Sequence, residues 1–243
     1  MKAEFNSKGE LVASDEVAAS AGAFQASFDG LTGTFRGRVL PGLPIKQDFE
    51  SFALTETNAA DGSMFAYPPL PWIGARFKFE IHDKDGNKAL TKAVDNPFFR
   101  RATVFMGEPH LKNYTIEADV MSDGNLRRHK MSEVGLINQR YRIVLKGNDQ
   151  KLEVTSNEEL FHVDVPFAWT PSVWYHLKSR VDADKTGSCV VRGKAWKKGE
   201  PEPDAWTIEV PVKIANPEGC PGLFSFSPQD MRTYLDNIQV TPN

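Results

Sequence analysis

Two cysteines, Cys189 and Cys220, are all that the 243 residues contain. They allow one disulfide at most and exclude a disulfide-framework fold. No apolar run approaches 18 residues, so there is no candidate membrane helix. Neither sign of charge is in excess. The 29 basic and 32 acidic side chains leave a net charge of −3, which gives no reason to expect a nucleic-acid partner. The opening MKAEFNSKGE lacks the apolar stretch of a signal peptide. The five histidines (His82, His110, His129, His162 and His176) show no HxH or HxxxH spacing, leaving a transition-metal site without support. Neither a Gly-x-Ser-x-Gly elbow nor a phosphate-cradling glycine loop occurs. Helical periodicity is missing too, apart from a short candidate at Asp15–Ala21 with Ser14 as its N-cap.

What is present is a chain of ordinary soluble composition, 40% apolar and 25% charged, long enough to bury a large core. Its signals are those of short strands. Ala23–Phe28 and Leu31–Leu40 flank an Asp29-Gly30 turn, and Pro41–Pro44 then marks a boundary. Beyond it, Gln47–Leu54 reads as a strand. Arg76–His82 and Lys88–Ala93 flank a second hairpin turn, Asp83–Asn87. Thr103–Met106, Tyr114–Met121, Arg140–Lys146, Lys151–Thr155, Trp206–Val210, Gly222–Phe226 and Thr233–Val240 follow. The longest pair is Val173–Trp196, two strands joined by the polar turn Asp182–Ser188. Its alternation sends Val173, Tyr175, Leu177 and Val181, with Cys189, Val191, Gly193 and Ala195, to an apolar face. Cys189 is expected as a buried free thiol. Many short strands with turns every 8 to 12 residues indicate an all-β sandwich or jelly roll.

The opposite face of that pair carries Trp174, His176, Lys178, Arg180, Val190, Arg192, Lys194 and Trp196. If Tyr114–Met121 and Arg140–Lys146 join the same sheet, one surface gathers Glu117, Asp119, Arg142, Trp174, Arg180, Arg192 and Trp196. Flat indoles beside carboxylates and guanidinium forks are what a sugar needs, rings for its C–H faces and charged groups for its hydroxyls. The plainer alternative is that both tryptophans cover a sheet edge and stack on arginine stems. Glu117 and Asp119 point the same way and could act as a catalytic carboxyl pair. For a metal, Asp48, Glu50 and Asp236 offer hard oxygens suited to a structural Ca²⁺, although strand-end carboxylates commonly accept backbone N–H bonds instead. Asp83-Lys84-Asp85-Gly86-Asn87 begins like a calcium loop but lacks the distal Glu, so a hairpin turn explains it better. Arg127-Arg128-His129-Lys130 reads as a solvated basic loop.

Three segments resemble concanavalin A-like (laminin-G-like) jelly rolls: DFE at Asp48–Glu50, PSVWYHLKSRVD at Pro171–Asp182 and TYLDNIQVTP at Thr233–Pro242. The resemblance implies opening and closing strands side by side and the Trp-Tyr strand running through the middle of a sheet. Glucanases of that group carry a Glu-x-Asp-x-(x)-Glu strand, whose last Glu is replaced here by Met121 or Ser122, so the catalytic acid is missing. NYTIEADV, GLINQRYRIVL, VPFAWTPSVWYHLKSRVD, VRGKAWKKGEPEPDAWTIE and PGLF…YLDNIQV are similar to the carboxy-terminal region of bacterial envelope proteins whose other part is a quinoprotein-type (PQQ-like) β-propeller. AGAFQASFDGLTGTFRGRVLP resembles the last strands of a bacterial Ig-like domain. These resemblances imply a partial Ig-like segment over 1–43, a jelly roll over 44–243, and an exported, periplasmic or extracellular parent. They supply no activity. The expectation is a non-catalytic accessory domain that binds a polysaccharide or glycan and needs no cofactor. The alternatives are a structural domain packed on the parent's propeller and a glycoside hydrolase-like jelly roll using Glu117 and Asp119.

Overall fold

A computed structural model describes residues 3–13, 19–40, 42–59, 61–93, 100–156, 161–228 and 231–243. Two antiparallel sheets pack face to face. The larger has ten strands. From one edge they run Ile208–Val212, Cys189–Lys197, Tyr175–Ala183, Tyr114–Ser122, Thr233–Pro242, Asn87–Lys92, Phe79–Lys84, Met64–Ala66 and Glu56–Thr57, with Ile45–Gln47 also paired to Thr233–Pro242. The smaller has six, in the order Arg101–Phe105, Gly222–Phe226, Glu133–Asn138, Tyr141–Lys146, Lys151–Thr155 and His162–Pro166. Neighbours in space come from distant parts of the chain, as in a jelly-roll sandwich.

Alternation explains the packing. Tyr114, Ile116, Ala118 and Val120 are fully buried between the sheets, as are Leu177, Val181 and Val191 of the neighbouring strands. Ile143, Leu145, Leu152, Val154 and Leu223 meet them from the smaller sheet. Each valine, leucine or isoleucine among them contributes about 1.5–3 kcal/mol of burial free energy. Close approach of the sheets depends on Gly193. A Cβ there would sit 3.0 Å from Ile143 Cγ2 and 3.2 Å from Ile208 Cγ2. Trp169 closes one end of the sandwich. It is buried, donates its indole N–H to the Lys146 carbonyl at 3.1 Å, and meets Tyr175 edge-on.

The expected hairpins form. Asp29-Gly30 and Asp85-Gly86 take positive φ at both positions, the geometry of two-residue turns that match strand twist. Ile45–Gln47 lies against Ile238–Val240, so opening and closing strands are neighbours. Both cysteines are free. Cys189 is buried with its Sγ 3.4 Å from the Tyr141 hydroxyl, and Cys220 is half-buried.

Four expectations need correction. The strand expected over Gln47–Leu54 stops at Gln47, because Phe49 turns its backbone to φ 59 to bury its ring, and the Phe52 N–H closes back on the Phe49 carbonyl. Tyr141–Lys146 belongs to the smaller sheet and not to the sheet of Tyr114–Ser122. Several strands were not expected, among them Met64–Ala66, which lies in the segment read as a loop, and two strands of the smaller sheet. Glu133–Asn138 is buried on both faces at Leu136 and Ile137, which erases its alternation, and His162–Pro166 is an edge strand ending in proline. Of the helix expected at Asp15–Ala21, residues 15–18 and the cap Ser14 lie outside the described residues, while Ser20–Phe28 is a strand. That strand pairs with Leu31–Val39 over nine residues, and Ala3–Phe5 pairs with Leu11–Ala13 as a smaller ribbon.

Candidate functional site

The outer face of the ten-stranded sheet is ordered by register into rows. Across the strands, one row reads Asp236, Asp119, His176, Trp196. The next reads Lys46, Gln239, Glu117, Lys178, Lys194. A third reads Thr115, Arg180, Arg192, Glu209. Long-range pairing therefore brings together residues more than a hundred positions apart in sequence.

His176 is the hub. Its Nδ1 lies 2.8 Å from Asp119 Oδ1, and its Nε2 lies 3.6 Å from Glu117 Oε2. Its ring packs against Trp196 with centroids 4.6 Å apart. Burial disfavours the imidazolium, but the hydrogen bond of Asp119 and the nearby charges of Asp119 and Glu117 outweigh it and raise the pKa to about 9. The close approach of His176 is the main reason that the Glu117 carboxyl is held below its usual range. For Asp119, burial pushes upward, yet bonds from His176, Lys198 and Asn237 lower the pKa overall. Near neutrality His176 is thus a cation between two carboxylates.

Lysines and indoles surround this centre. Lys178 bridges Glu117 and Glu202, at 3.1 Å from each. Lys194 reaches Glu202 at 2.7 Å and the Pro203 carbonyl at 2.6 Å, with its ammonium 4.7 Å from the centre of the Trp206 ring. Lys198 contacts Asp119 at 2.7 Å and sits 5.6 Å from the centre of the Trp174 ring. Such cation–ring contacts hold both partners in place. Trp174, Trp196 and Trp206 are all half-buried. Trp174 rests on the small cluster of Ala89, Met121 and Tyr234.

The closing strand is irregular here. Its register with Tyr114–Ser122 shifts between Glu117 and Asp119, and Asn237 occupies the extra position with φ 48. The Asn237 amide donates to Asp119 Oδ2 at 2.8 Å and to Asp236 Oδ2 at 3.0 Å. Asp236 is 1% exposed and also accepts from Asn87; burial raises its pKa, favouring the protonated acid. Beside the bulge lies a cleft of about 480 Å³ lined by Lys46, Gln47, Asp48, Ser51, Asn237 and Gln239.

Most of the residues singled out from sequence meet on this face. Trp174, Trp196, Glu117 and Asp119 surround His176. Arg180 and Arg192 lie two rows from His176, where both bind Asp182 and Arg192 also binds Glu209 at 2.7 Å. Arg142 does not join them. It lies on the outer face of the smaller sheet, its guanidinium 5.3 Å from the centre of the Phe224 ring, because its strand pairs with Glu133–Asn138. The proposed calcium ligands are otherwise engaged: Asp48 accepts the Glu50 N–H, Glu50 accepts the Lys88 N–H, and Asp236 binds two amides. Among the described residues, no three His, Cys, Asp or Glu side chains group to hold a metal. Asp83 caps its own hairpin turn through the Gly86 N–H.

Several residues of the site escaped the sequence reading. His176 was placed on this face by its parity between Trp174 and Lys178 but was not singled out as part of the site. Trp206, Glu202 and Lys198 sit in the segment between two strands, where no periodicity reports direction. Asn237 is aimed by a bulge that breaks the alternation.

No protein-family model matches the chain, and no curated protein matches it. Solved structures do. Alginate lyase Aly36B has a TM-score of 0.51 at 9% identity, covering 84% of this chain and 98% of its own. Crh5 transglycosylase, solved in complex with NAG, has a TM-score of 0.51 at 11% identity, covering 84% and 85%. Lectin UEA-II, complexed with galactose, has a TM-score of 0.47 at 10% identity, covering 82% and 98%. At these identities the likeness concerns the fold. This chain is an all-β jelly-roll sandwich.

Proposed function

We propose that the protein is a non-catalytic carbohydrate-binding domain, with its ligand on the outer face of the ten-stranded sheet. One observation carries this reading: three half-buried indoles, Trp174, Trp196 and Trp206, stand around a hydrogen-bonded network of His176, Glu117, Asp119 and three lysines. Rings supply apolar faces for pyranoses, and paired ammonium and carboxylate groups both donate to and accept from hydroxyls. The same network favours binding over bond cleavage. Glu117 and Asp119 spend their lone pairs on His176, Lys178, Lys198 and Asn237, so neither can serve as acid or nucleophile without breaking an ion pair. Placement within an exported bacterial protein bearing a propeller rests on the sequence resemblance.

Affinity electrophoresis through gels containing polysaccharides tests the reading. Trp196→Ala should weaken retardation about tenfold or more in apparent Kd while leaving the unfolding midpoint nearly unchanged. Retardation by the native protein that Trp196→Ala and Trp206→Ala both leave intact overturns it.

A second reading, an interaction domain, draws on the N-terminal hairpin. Phe24 and Phe35 stack on one face, and toward its tip Phe28 and Leu31 are 84% and 77% exposed. A contiguous apolar surface of this kind is what a docking face offers. Phe28→Ser with Leu31→Ser should reduce retention on a hydrophobic-interaction column and leave glycan retardation unchanged.

A further inference from the structure

We infer that the cleft beside Asn237 is a second, polar subsite, and that the ligand is an internal stretch of about four residues of a neutral polysaccharide rather than a terminal sugar. This rests on the carbohydrate-binding reading above and adds how far the binding surface extends and what kind of glycan it takes.

The cleft has a structural cause. Ile45–Gln47 pairs with the closing strand only over Ile238–Val240, and the chain then departs through the turn at Phe49. Asn237, extruded by the bulge, forms the facing wall. The resulting volume of about 480 Å³ falls within the usual range for small-ligand sites.

Its chemistry differs from that of the tryptophan face. There the charged groups are already paired. In the cleft, Lys46, Ser51 and Gln239 have no side-chain hydrogen bond or ion pair among the described residues. An ammonium, a hydroxyl and a primary amide, with the Asp48 carboxylate beside them, provide donors and acceptors of mixed sign suited to sugar hydroxyls. The charges of Lys46 and Asp48 offset one another. Glu117, Asp119 and Glu202 are likewise each balanced by a lysine or by His176. Each of the four cations there, His176, Lys178, Lys194 and Lys198, is already held by one of these carboxylates, so a uronate or sulfate would have to displace an existing ion pair, whereas a neutral chain need not.

The two ends are in line. From Trp196 to Lys46 the path crosses five neighbouring strands, Cys189–Lys197, Tyr175–Ala183, Tyr114–Ser122, Thr233–Pro242 and Ile45–Gln47. Four inter-strand spacings of about 4.8 Å span roughly 19 Å, the length of about four pyranose rings at roughly 5 Å each. The row Gln239, Glu117, Lys178, Lys194 marks out that path.

Isothermal titration with cello-, laminari- and manno-oligosaccharides of one to six units tests the inference on the full chain. In the ladder that binds, affinity should climb to about four units and then level. Lys46→Ala and Gln239→Ala should each weaken the tetramer about three- to tenfold, the worth of one hydrogen bond, and leave the dimer unchanged. Trp196→Ala should weaken every length. Both cleft side chains lack partners, so circular-dichroism melts should superimpose on the native one. Affinity that levels at one or two units, or a tetramer indifferent to both cleft substitutions, overturns the second subsite while sugar binding stands. Preference for an alginate or pectate ladder over all three neutral ones overturns the neutral class. No binding in any ladder, together with no retardation by any polysaccharide, overturns the carbohydrate reading and this inference with it.

Discussion

The imidazole of His176 and the carboxylate of Asp119 face one another across two central antiparallel strands, with Nδ1 and Oδ1 2.8 Å apart. The contact is largely shielded from solvent. It is continued by Lys198 and Asn237 on the carboxylate and by Glu117 and Trp196 on the imidazole. It therefore links the geometry of the indole surface to a titrating group.

That link makes stability pH-dependent with a definite sign. His176 is raised to about 9 in the folded protein, against about 6.5 in an unfolded chain. Its contribution is complete below pH about 6.5 and is lost as pH rises toward 9, by about 1–3 kcal/mol after solvent screening of the partly exposed ring. Urea unfolding at intervals between pH 6 and 9.5 should show this decline, and His176→Gln should flatten it. An unchanged slope in the variant contradicts the assignment. Glu117 and Asp119, both lowered, add a second decline as pH falls through their folded values.

Removing the carboxylate leaves two cations without their shared partner. Asp119→Asn should destabilise by about 1–3 kcal/mol, below the full cost of breaking a buried pair because Lys198 is partly exposed. The substitution should also bring the His176 pKa down, read directly from imidazole proton shifts in an NMR titration.

Gly193 tests the spacing of the two sheets. Gly193→Val places methyl groups against Ile143 and Ile208, where even a Cβ is tight. The expected loss is about 1–3 kcal/mol, measured as a lower urea midpoint at unchanged m-value. A midpoint at or above the native one contradicts the close approach.

Arg142 and Trp206 separate the two faces. Arg142→Ala alters the outer surface of the smaller sheet and should leave glycan affinity unchanged. Trp206→Ala, which removes the ring beside Lys194, should weaken affinity about as much as Trp196→Ala. The reverse ranking in the same titration contradicts the placement of the site.

Much of the architecture was legible because strand alternation is a local property. Tyr114–Ser122 and the pair ending at Trp196 declare their buried faces residue by residue, and the turns at Asp29-Gly30 and Asp85-Gly86 announce themselves by composition. Glu133–Asn138 was hidden since Leu136 and Ile137 are both buried, one between the sheets and one outside them. Within the site, parity gave direction to Glu117, Asp119, Trp196 and His176, while Trp206 and Glu202 depend on the path of an irregular connection.

By itself, the sequence determined which side chains share a face of their own strand, that the fold is all-β, and that Cys189 is buried. Those are consequences of a two-residue repeat and of hydrophobic burial. Only the tertiary structure decided which strands are neighbours, and so which faces combine. Arg142 was separated from the tryptophans and Asp236 was joined to Asp119 by pairings between segments distant in the chain. No local pattern encodes these pairings, because they minimise the exposed apolar surface of the whole chain at once.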